Sequence, residues 1–204
     1  MRLLPAVLVL SALLSGCGAA PGPADPATSA AASVPAAADP AQAVLDASQR
    51  FSRLRSFHAS LRMQGPRTVE TTLDFVAPDR YRLQTEDGPQ LIIGDTFFLQ
   101  RAGEVRQVPV PPGLVAQWRS PLPADLAPAQ LQVQDLGADV LAGVATRKYR
   151  VRHASAGPDG MLYWIDARGL PVQIERDGQA QGGRYRITLR YSRQDDPTLQ
   201  IALP

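Results

Sequence analysis

Apolar and polar residues alternate one by one through most of the chain after residue 56, and this alternation limits the fold more than any other feature. The clearest run lies near the C-terminal end, where arginine or threonine separates four apolar side chains: Tyr185, Ile187, Leu189 and Tyr191. Successive side chains of a β-strand point to opposite faces, so such a run has one apolar face and one polar face. Turn sequences around Pro78 and Pro158 separate the runs. The pattern predicts an antiparallel sheet of about ten strands joined mostly by tight hairpins.

A helix is predicted ahead of the first strand. Asp39 is placed to cap it, Pro40 takes the first helical position, and Gln42 follows three residues after the cap. Apolar side chains then recur with helical spacing at Val44, Ala47, Phe51 and Leu54. We therefore expect an N-terminal helix whose apolar face packs on the sheet.

The segment 109–130 interrupts the strand pattern. It contains six prolines, which exclude a central strand, and between them stand apolar residues such as Leu114, Trp118 and Leu126. This composition favours one or two short helices that cover one opening of a curved sheet. A well-packed connection with no cavity beneath it fits the residues equally well.

A sheet of this size has one apolar face to cover, and only these few helical segments are available to cover it. A curved sheet wrapped around the helices solves this problem and leaves an apolar interior space. The predicted fold class is therefore α+β. It is an incomplete antiparallel β-barrel of about ten strands with an N-terminal helix and a mid-chain helical lid over an apolar cavity.

The chain begins with Arg2 and a mostly apolar run over residues 3–14. This run is shorter than the ~20 residues of a membrane-spanning helix and is typical of an export signal that is removed. The tetrapeptide Leu14-Ser15-Gly16-Cys17 resembles the lipobox of bacterial lipoproteins, in which cleavage precedes the cysteine and its sulfur carries a diacylglycerol. The alternative is an ordinary secretory signal with a chance cysteine. We interpret residues 1–16 as a lipoprotein signal peptide and Cys17 as the lipidation site.

The residues after Cys17 are almost all Ala, Pro, Gly, Ser and Thr, and such a segment cannot bury enough apolar surface to become ordered. Residues 17–38 are therefore interpreted as the lipidated cysteine and a disordered tether, and residues 39–204 as one folded domain. Cys17 is the only cysteine, so no internal disulfide forms. We expect a protein of the cell envelope that is anchored through acylated Cys17 and faces the periplasm. Gly18 resembles the outer-membrane sorting choice of enteric bacteria, which predicts the outer membrane.

The charges of the chain are nearly balanced, with 21 Lys and Arg against 19 Asp and Glu. This gives no electrostatic case for binding nucleic acid, which needs clustered cations. His58 and His153 lack the spacing of metal ligands, and the acidic pair Glu86-Asp87 falls in a predicted turn rather than across a cleft. The sequence thus predicts no enzyme, no metal site and no cofactor.

Large apolar residues of the predicted strands and of the helical segment are the candidate lining of the cavity. As an ordinary core they need no further explanation. Under a lid they would describe a site for the acyl chains of lipids or lipoproteins. The candidates are Phe75, Tyr81, Leu83, Leu91, Ile93, Phe97, Leu99, Trp118, Leu126, Trp164, Ile174 and Tyr185.

Four segments carry a resemblance to a known family. Residues 54–61 lead from the first helix into a strand, residues 73–82 read as strand, proline turn and strand, and hairpins follow at 91–99 and 163–172. In this order they resemble the outer-membrane lipoprotein carrier (LolA-like) superfamily over roughly the whole predicted domain. The resemblance implies a lipid-anchored member with an incomplete barrel closed by helices around a lipid-binding cavity. Ala77 stands where the carrier has an arginine tied to its opening and closing, which argues against the carrier role itself.

Two functions are compatible with these observations. The first is a lipid-anchored, periplasm-facing lipoprotein that binds acyl chains or lipoproteins in an apolar cavity, for lipid or lipoprotein trafficking or sequestration. The alternative is a non-enzymatic structural or interaction module of the envelope, with a filled core and an arginine-rich polar face for a protein partner. A cavity binder should co-purify with lipid, and a filled-core module should not.

Overall fold

The structure is a computed structural model that describes residues 33–101, 104–123, 125–154, 160–180 and 183–202. The predicted signal peptide, Cys17 and most of the predicted tether lie outside the described residues. Within the part of the chain that is described, no helix is both long enough and apolar enough to cross a membrane.

Eleven antiparallel strands form one sheet. They are β1 (Ser56–Gln64), β2 (Val69–Val76), β3 (Arg80–Thr85), β4 (Gly88–Ile93), β5 (Thr96–Arg101), β6 (Glu104–Pro109), β7 (Gln132–Leu141), β8 (Val144–Arg152), β9 (Met161–Asp166), β10 (Pro171–Ala180) and β11 (Gly183–Ser192). Their spatial order is β6-β5-β4-β3-β2-β1-β11-β10-β9-β8-β7. The edges β6 and β7 do not pair, so the curved sheet stays open. This confirms the predicted curved antiparallel sheet, with eleven strands in place of about ten.

Helix α1 (Pro40–Ser52) precedes the sheet and begins at the predicted position. The Asp39 carboxylate accepts hydrogen bonds from the backbone N–H groups of Ala41, at 2.9 Å, and Gln42, at 3.1 Å. These bonds satisfy two of the donors that the first turn of a helix leaves unpaired. The helix buries one face, made of Val44, Leu45, Ala47, Ser48 and Phe51.

The sheet face that α1 covers, called here the inner face, carries the apolar side chains of the alternating pattern. Phe57, Phe75, Tyr81 and Ile92 are successive cross-strand neighbours on β1 to β4, and each is at most 3% exposed. On the other half of the sheet the core continues through Tyr149, Val151, Met161, Tyr163, Ile165, Ile174 and Tyr191. The opposite face, called the outer face, carries the polar residues that alternate with them.

The segment between β6 and β7 contains a short helix, α2 (Leu114–Arg119), and a 3-10 turn (Pro128–Gln130). Trp118 of α2 packs its ring against Tyr81, with 5.8 Å between ring centroids. Leu122, which follows α2, is 1% exposed, and its backbone N–H donates to the Ser48 hydroxyl of α1 at 3.3 Å. The segment therefore lies over the inner face beside α1. The predicted short helices are confirmed, and a lid function stays a prediction.

The residues after β11 fold back over the beginning of β1. The backbone N–H of Asp195 donates to the Ser56 carbonyl at 2.8 Å, and the Asp195 carboxylate accepts from the Arg55 backbone N–H at 2.7 Å. Leu199 and Ile201 are both 3% exposed. This segment is thus part of the packed domain.

Replacing Asp39 with alanine should destabilise the domain by about 1 kcal/mol, since it removes the side chain that caps α1. The free energy of unfolding from urea titration measures this loss. Asp39→Asn is the matched control, because asparagine caps a helix equally well and should leave the stability near that of the wild type. Equal stability of all three proteins would show that this cap contributes nothing.

Candidate functional site

An apolar pocket of about 120 Å³ opens on the inner face. Its walls come from the two central strands β1 and β11, from β2 and β3, which lie next in order beyond β1, and from α2. The lining residues are Phe57, Ala59, Leu61, Thr71, Leu73, Leu83, Trp118, Leu189 and Tyr191. Among them only Thr71, Trp118 and Tyr191 carry a polar side-chain atom, so the pocket suits an apolar guest.

A chain of aromatic rings connects α1 to α2 along one side of this pocket. Phe51 of α1 packs on Phe57 at 4.7 Å between ring centroids, and Phe57 packs on Phe75 at 5.2 Å. Phe75 packs on Tyr81 at 5.0 Å, and Tyr81 packs on Trp118. These separations are typical of favourable aromatic pairs. One wall of the pocket is therefore made of packed aromatic rings, and α2 contacts it through Trp118.

Tyr191 forms part of the pocket wall and is 8% exposed. Burial raises the pKa of Tyr191, so its hydroxyl remains neutral at ordinary pH. The pocket thus has no charged side chain in its lining.

The structure separates the twelve predicted lining residues into three groups. By strand register, seven lie on the inner face: Phe75, Tyr81, Leu83, Phe97, Leu99, Ile174 and Tyr185. Trp118 and Leu126 lie in the segment that packs against the core. Leu91, Ile93 and Trp164 lie on the outer face. Of all twelve, only Leu83 and Trp118 line the pocket.

The other pocket residues were missed by the sequence analysis. Leu61 and Leu189 are cross-strand partners on β1 and β11, the pair that joins the first and last strands of the sheet. Both belong to alternating runs that the sequence shows, so their inner-face position was predictable. Their proximity was not, because nothing in the two runs indicates that they pair with each other.

Trp164 is buried on the outer face in a polar setting. Its indole N–H donates to the Asp139 carboxylate at 2.9 Å, and the Lys148 ammonium lies 4.6 Å from its ring centroid. The hydrogen bond from Trp164 is the main cause that lowers the pKa of Asp139. Its neighbours Tyr163 and Ile165 point to the core, and the two-residue period of the strand therefore directs Trp164 outward.

A row of polar side chains crosses the outer face from β11 to β3. Strand register places Ser192, His58, Asp74 and Arg82 opposite one another in that order. The His58 Nδ1 atom lies 2.7 Å from the Asp74 carboxylate, and Arg82 donates to the same carboxylate at 2.6 and 3.0 Å. Within the described residues no hydrogen bond joins Ser192 to His58.

Two further grooves on the outer face are larger and differ in chemistry. One measures about 320 Å³ and includes Arg150, Arg152 and Asp177 in its lining, and the other measures about 370 Å³ and includes Arg62 and Glu70. Among the residues that the structure describes, no three His, Cys, Asp or Glu side chains come together as metal ligands. A third groove, of about 230 Å³, is lined mostly by apolar residues but includes Arg82. The inner pocket is therefore distinguished by the absence of a charged side chain in its lining rather than by its size.

Comparison with known proteins bears on the fold. No protein-family model and no curated protein matches the chain. Among solved structures, lipoprotein LppX of Mycobacterium tuberculosis is 15% identical with a TM-score of 0.57, over 78% of this chain and 96% of LppX. LprF from Mycobacterium bovis is 15% identical with a TM-score of 0.54, over 82% of this chain and 97% of LprF. A LolA superfamily protein from Nitrosomonas europaea matches 80% of this chain and 94% of its own, at 10% identity and a TM-score of 0.31.

The chain shares its fold with LppX and LprF. The open antiparallel fold that the sequence predicts is thereby confirmed. The TM-scores establish the common fold, whereas an identity of 15% carries no ligand from one protein to another.

Asp74 should make the stability of the protein depend on pH. Partial burial alone would raise the pKa of Asp74, but the hydrogen bonds from His58 and Arg82 outweigh burial and hold it below its ordinary value. The carboxylate therefore stabilises the fold above about pH 4, and this contribution is lost as the pH falls through the lowered pKa.

The test compares the wild type with Asp74→Asn by urea unfolding between pH 7 and pH 2.5. The variant should be less stable at pH 7, and the difference should shrink below about pH 4. Asp87→Asn, in the exposed turn before β4, is the matched control and should show no such difference. A gap between wild type and Asp74→Asn that stays constant with pH would contradict the role of the ionised carboxylate.

Proposed function

We propose that this protein is a lipid-anchored lipoprotein of the cell envelope that binds acyl chains of a lipid or lipoprotein non-covalently. The observation that carries the proposal is the inner-face pocket with its apolar lining beside α2. Binding there needs no chemical step, and the role is sequestration or transfer of lipid rather than catalysis.

The energetics favour an acyl guest. Each methylene removed from water contributes about 0.8 kcal/mol, so a few methylenes give useful affinity without polar contacts. An apolar engineered cavity of about 150 Å³ stays dry and binds benzene, and the pocket here is of similar size. The pocket therefore holds the end of a chain or a short stretch of it.

A longer chain needs more room, because sites for whole ligands usually measure about 300–1,000 Å³. Movement of α2 supplies this room most readily. Helix α2 has only six residues, and Gly113 at its N-cap position has no side chain to accept a capping hydrogen bond. Segment 109–130 is tied to α1 through Leu122 and Ser48 and through a hydrogen bond from Arg119 to the Ser52 carbonyl. We expect α2 to shift when ligand binds.

The envelope location rests on the sequence and on one structural relative. Residues 1–16 serve as the signal peptide, Cys17 receives the lipid, residues 17–38 form the tether, and residues 39–204 form the binding domain. LppX, which shares the fold, is described as a lipoprotein. The outer membrane, with the domain facing the periplasm, is the proposed location.

One observation favours the alternative, a structural or interaction module of the envelope. Most of the inner face is filled, since Phe51, Phe57 and Phe75 are completely buried and the remaining space is small. Such a module would present the arginines of the outer face to a protein partner. The absence of the carrier's arginine, with Ala77 in its place, weighs against a carrier that shuttles lipoproteins but not against a protein that holds lipid.

The first experiment is mass spectrometry of lipid extracted from the mature chain, residues 17–204 with Cys17→Ser, exported behind a signal that adds no lipid. We expect acyl species in stoichiometric amount. Leu61→Glu, on the pocket wall, should reduce binding of a fluorescent fatty acid at least tenfold, because it places a charge in the apolar site. A lipid-free wild-type protein that ignores the fatty acid would instead support the filled-core module.

The matched control is Leu91→Glu, since Leu91 is also a partly buried strand leucine but lies on the outer face. It should leave binding unchanged. Leu83 is less suitable for this purpose because it is 6% exposed within the core, and a charge there would threaten folding. Equal loss of binding in both glutamate variants would remove the inner pocket from consideration.

Lipidation is tested separately with the native signal. Growth with labelled palmitate should label the wild type. The Cys17→Ala variant should carry no label and should no longer be found in the membrane fraction. Ser15→Ala keeps a small residue in the lipobox and should still be labelled. Label retained in Cys17→Ala would show that the lipid is attached elsewhere.

A further inference from the structure

Arg119, the last residue of α2, reaches inward over the apolar core. Its guanidinium carbon lies 3.9 Å from the ring centroid of Phe75, which is completely buried. One of its terminal nitrogens donates to the backbone carbonyl of Ser52, the last residue of α1. Arg119 therefore occupies the gap between α2 and the C-terminal end of α1.

This arginine is incompletely satisfied. Its Nε atom is buried and has no hydrogen-bond partner, and no carboxylate within the described residues pairs with it. Outer-face arginines differ, since Arg82 pairs with Asp74 and Arg186 pairs with Asp177. A buried donor left unpaired costs about 1–3 kcal/mol, so a cation kept in this state calls for an explanation.

The surroundings of Arg119 connect it to the pocket. Trp118, the preceding residue, lines the pocket, and Phe75 beneath the guanidinium packs on Phe57, another lining residue. Tyr81 packs on both Phe75 and Trp118. Burial raises the pKa of Tyr81, the charge of Arg119 and a hydrogen bond from it oppose that rise, and the charge of Asp79 adds to it. One cation and one phenol thus stand together next to an apolar site.

We infer that Arg119 binds the anionic head group, a carboxylate or a phosphate, of an amphiphile whose acyl chain occupies the inner-face pocket. The inference rests on the proposed function and names its ligand class. The planar guanidinium matches the geometry of both anions, and an anion would take up the unpaired Nε donor.

A purely structural role would have different consequences. Arg119 also joins α2 to α1 and stacks on Phe75, so its replacement lowers stability in either case. A structural arginine affects every apolar ligand equally, whereas an anion-binding arginine distinguishes ligands by their head groups. The decisive measurement is therefore a preference among head groups on one chain length.

The experiment uses the mature chain with Cys17→Ser, freed of endogenous lipid, and isothermal titration calorimetry with dodecanoate, dodecyl phosphate and dodecanol below their micelle concentrations. The wild type should bind at least one of the two anions tenfold or more tightly than dodecanol, and their order tells carboxylate from phosphate. Arg119→Gln should lose this preference and keep its affinity for dodecanol within about threefold. Arg119→Lys should keep part of the preference, because lysine retains the positive charge but lacks the planar set of donors of the guanidinium.

Arg62→Gln, which removes an arginine from the outer face, is the matched control and should behave like the wild type. Thermal unfolding of each variant identifies any that fails to fold. If Arg119→Gln does not fold, the head-group preference of Arg119→Lys is compared with that of the wild type instead. Equal wild-type affinity for the anions and dodecanol, or a preference that survives in Arg119→Gln, would overturn the inference and leave the proposed function standing. Failure of all three ligands to bind the wild type would overturn both.

Discussion

The packing of α1 on the inner face of the sheet is the contact on which the other features depend. The strands of the described residues present one wide apolar face, and a helix of 13 residues packs on the part of it formed by β7, β9 and β10. Phe51 of this helix reaches the central strands, where it packs on Phe57 and Tyr191. A sheet this wide exceeds what one such helix can cover. The short segment around α2 covers more of it, and the uncovered remainder between α2 and the central strands is the pocket. Site and core thus have the same origin.

Much of this architecture was predictable from local sequence. The period of two identified the strands. The predicted cap at Asp39 placed the start of α1 at Pro40, where the structure has it. Edge strand β6 has the weakest pattern, because its residues 104–107 are all exposed and show no alternation of burial. What local patterns cannot provide is which strands pair across long distances.

The candidate site was harder to predict for two physical reasons. Size and apolarity identify a residue as buried, but they do not say which face of the sheet buries it, and Trp164 is hidden on the outer face by Asp139 and Lys148. The residues that do line the pocket, such as Leu61 and Leu189, meet only because β1 pairs with β11. Arg119 gave no signal at all, because an arginine at a helix end is ordinary in sequence and becomes notable only over Phe75.

The pairing of β1 with β11 also has a consequence for how the chain acquires its structure. These strands are the first and last of the sheet in sequence, yet they lie side by side at its centre. A chain that emerges from its N-terminal end can form the hairpins on either flank, but it cannot join them before residues 183–192 appear. Contacts of such long sequence separation form slowly. The two flanks of the sheet therefore become one domain only when the last strand, β11, is available to pair with β1.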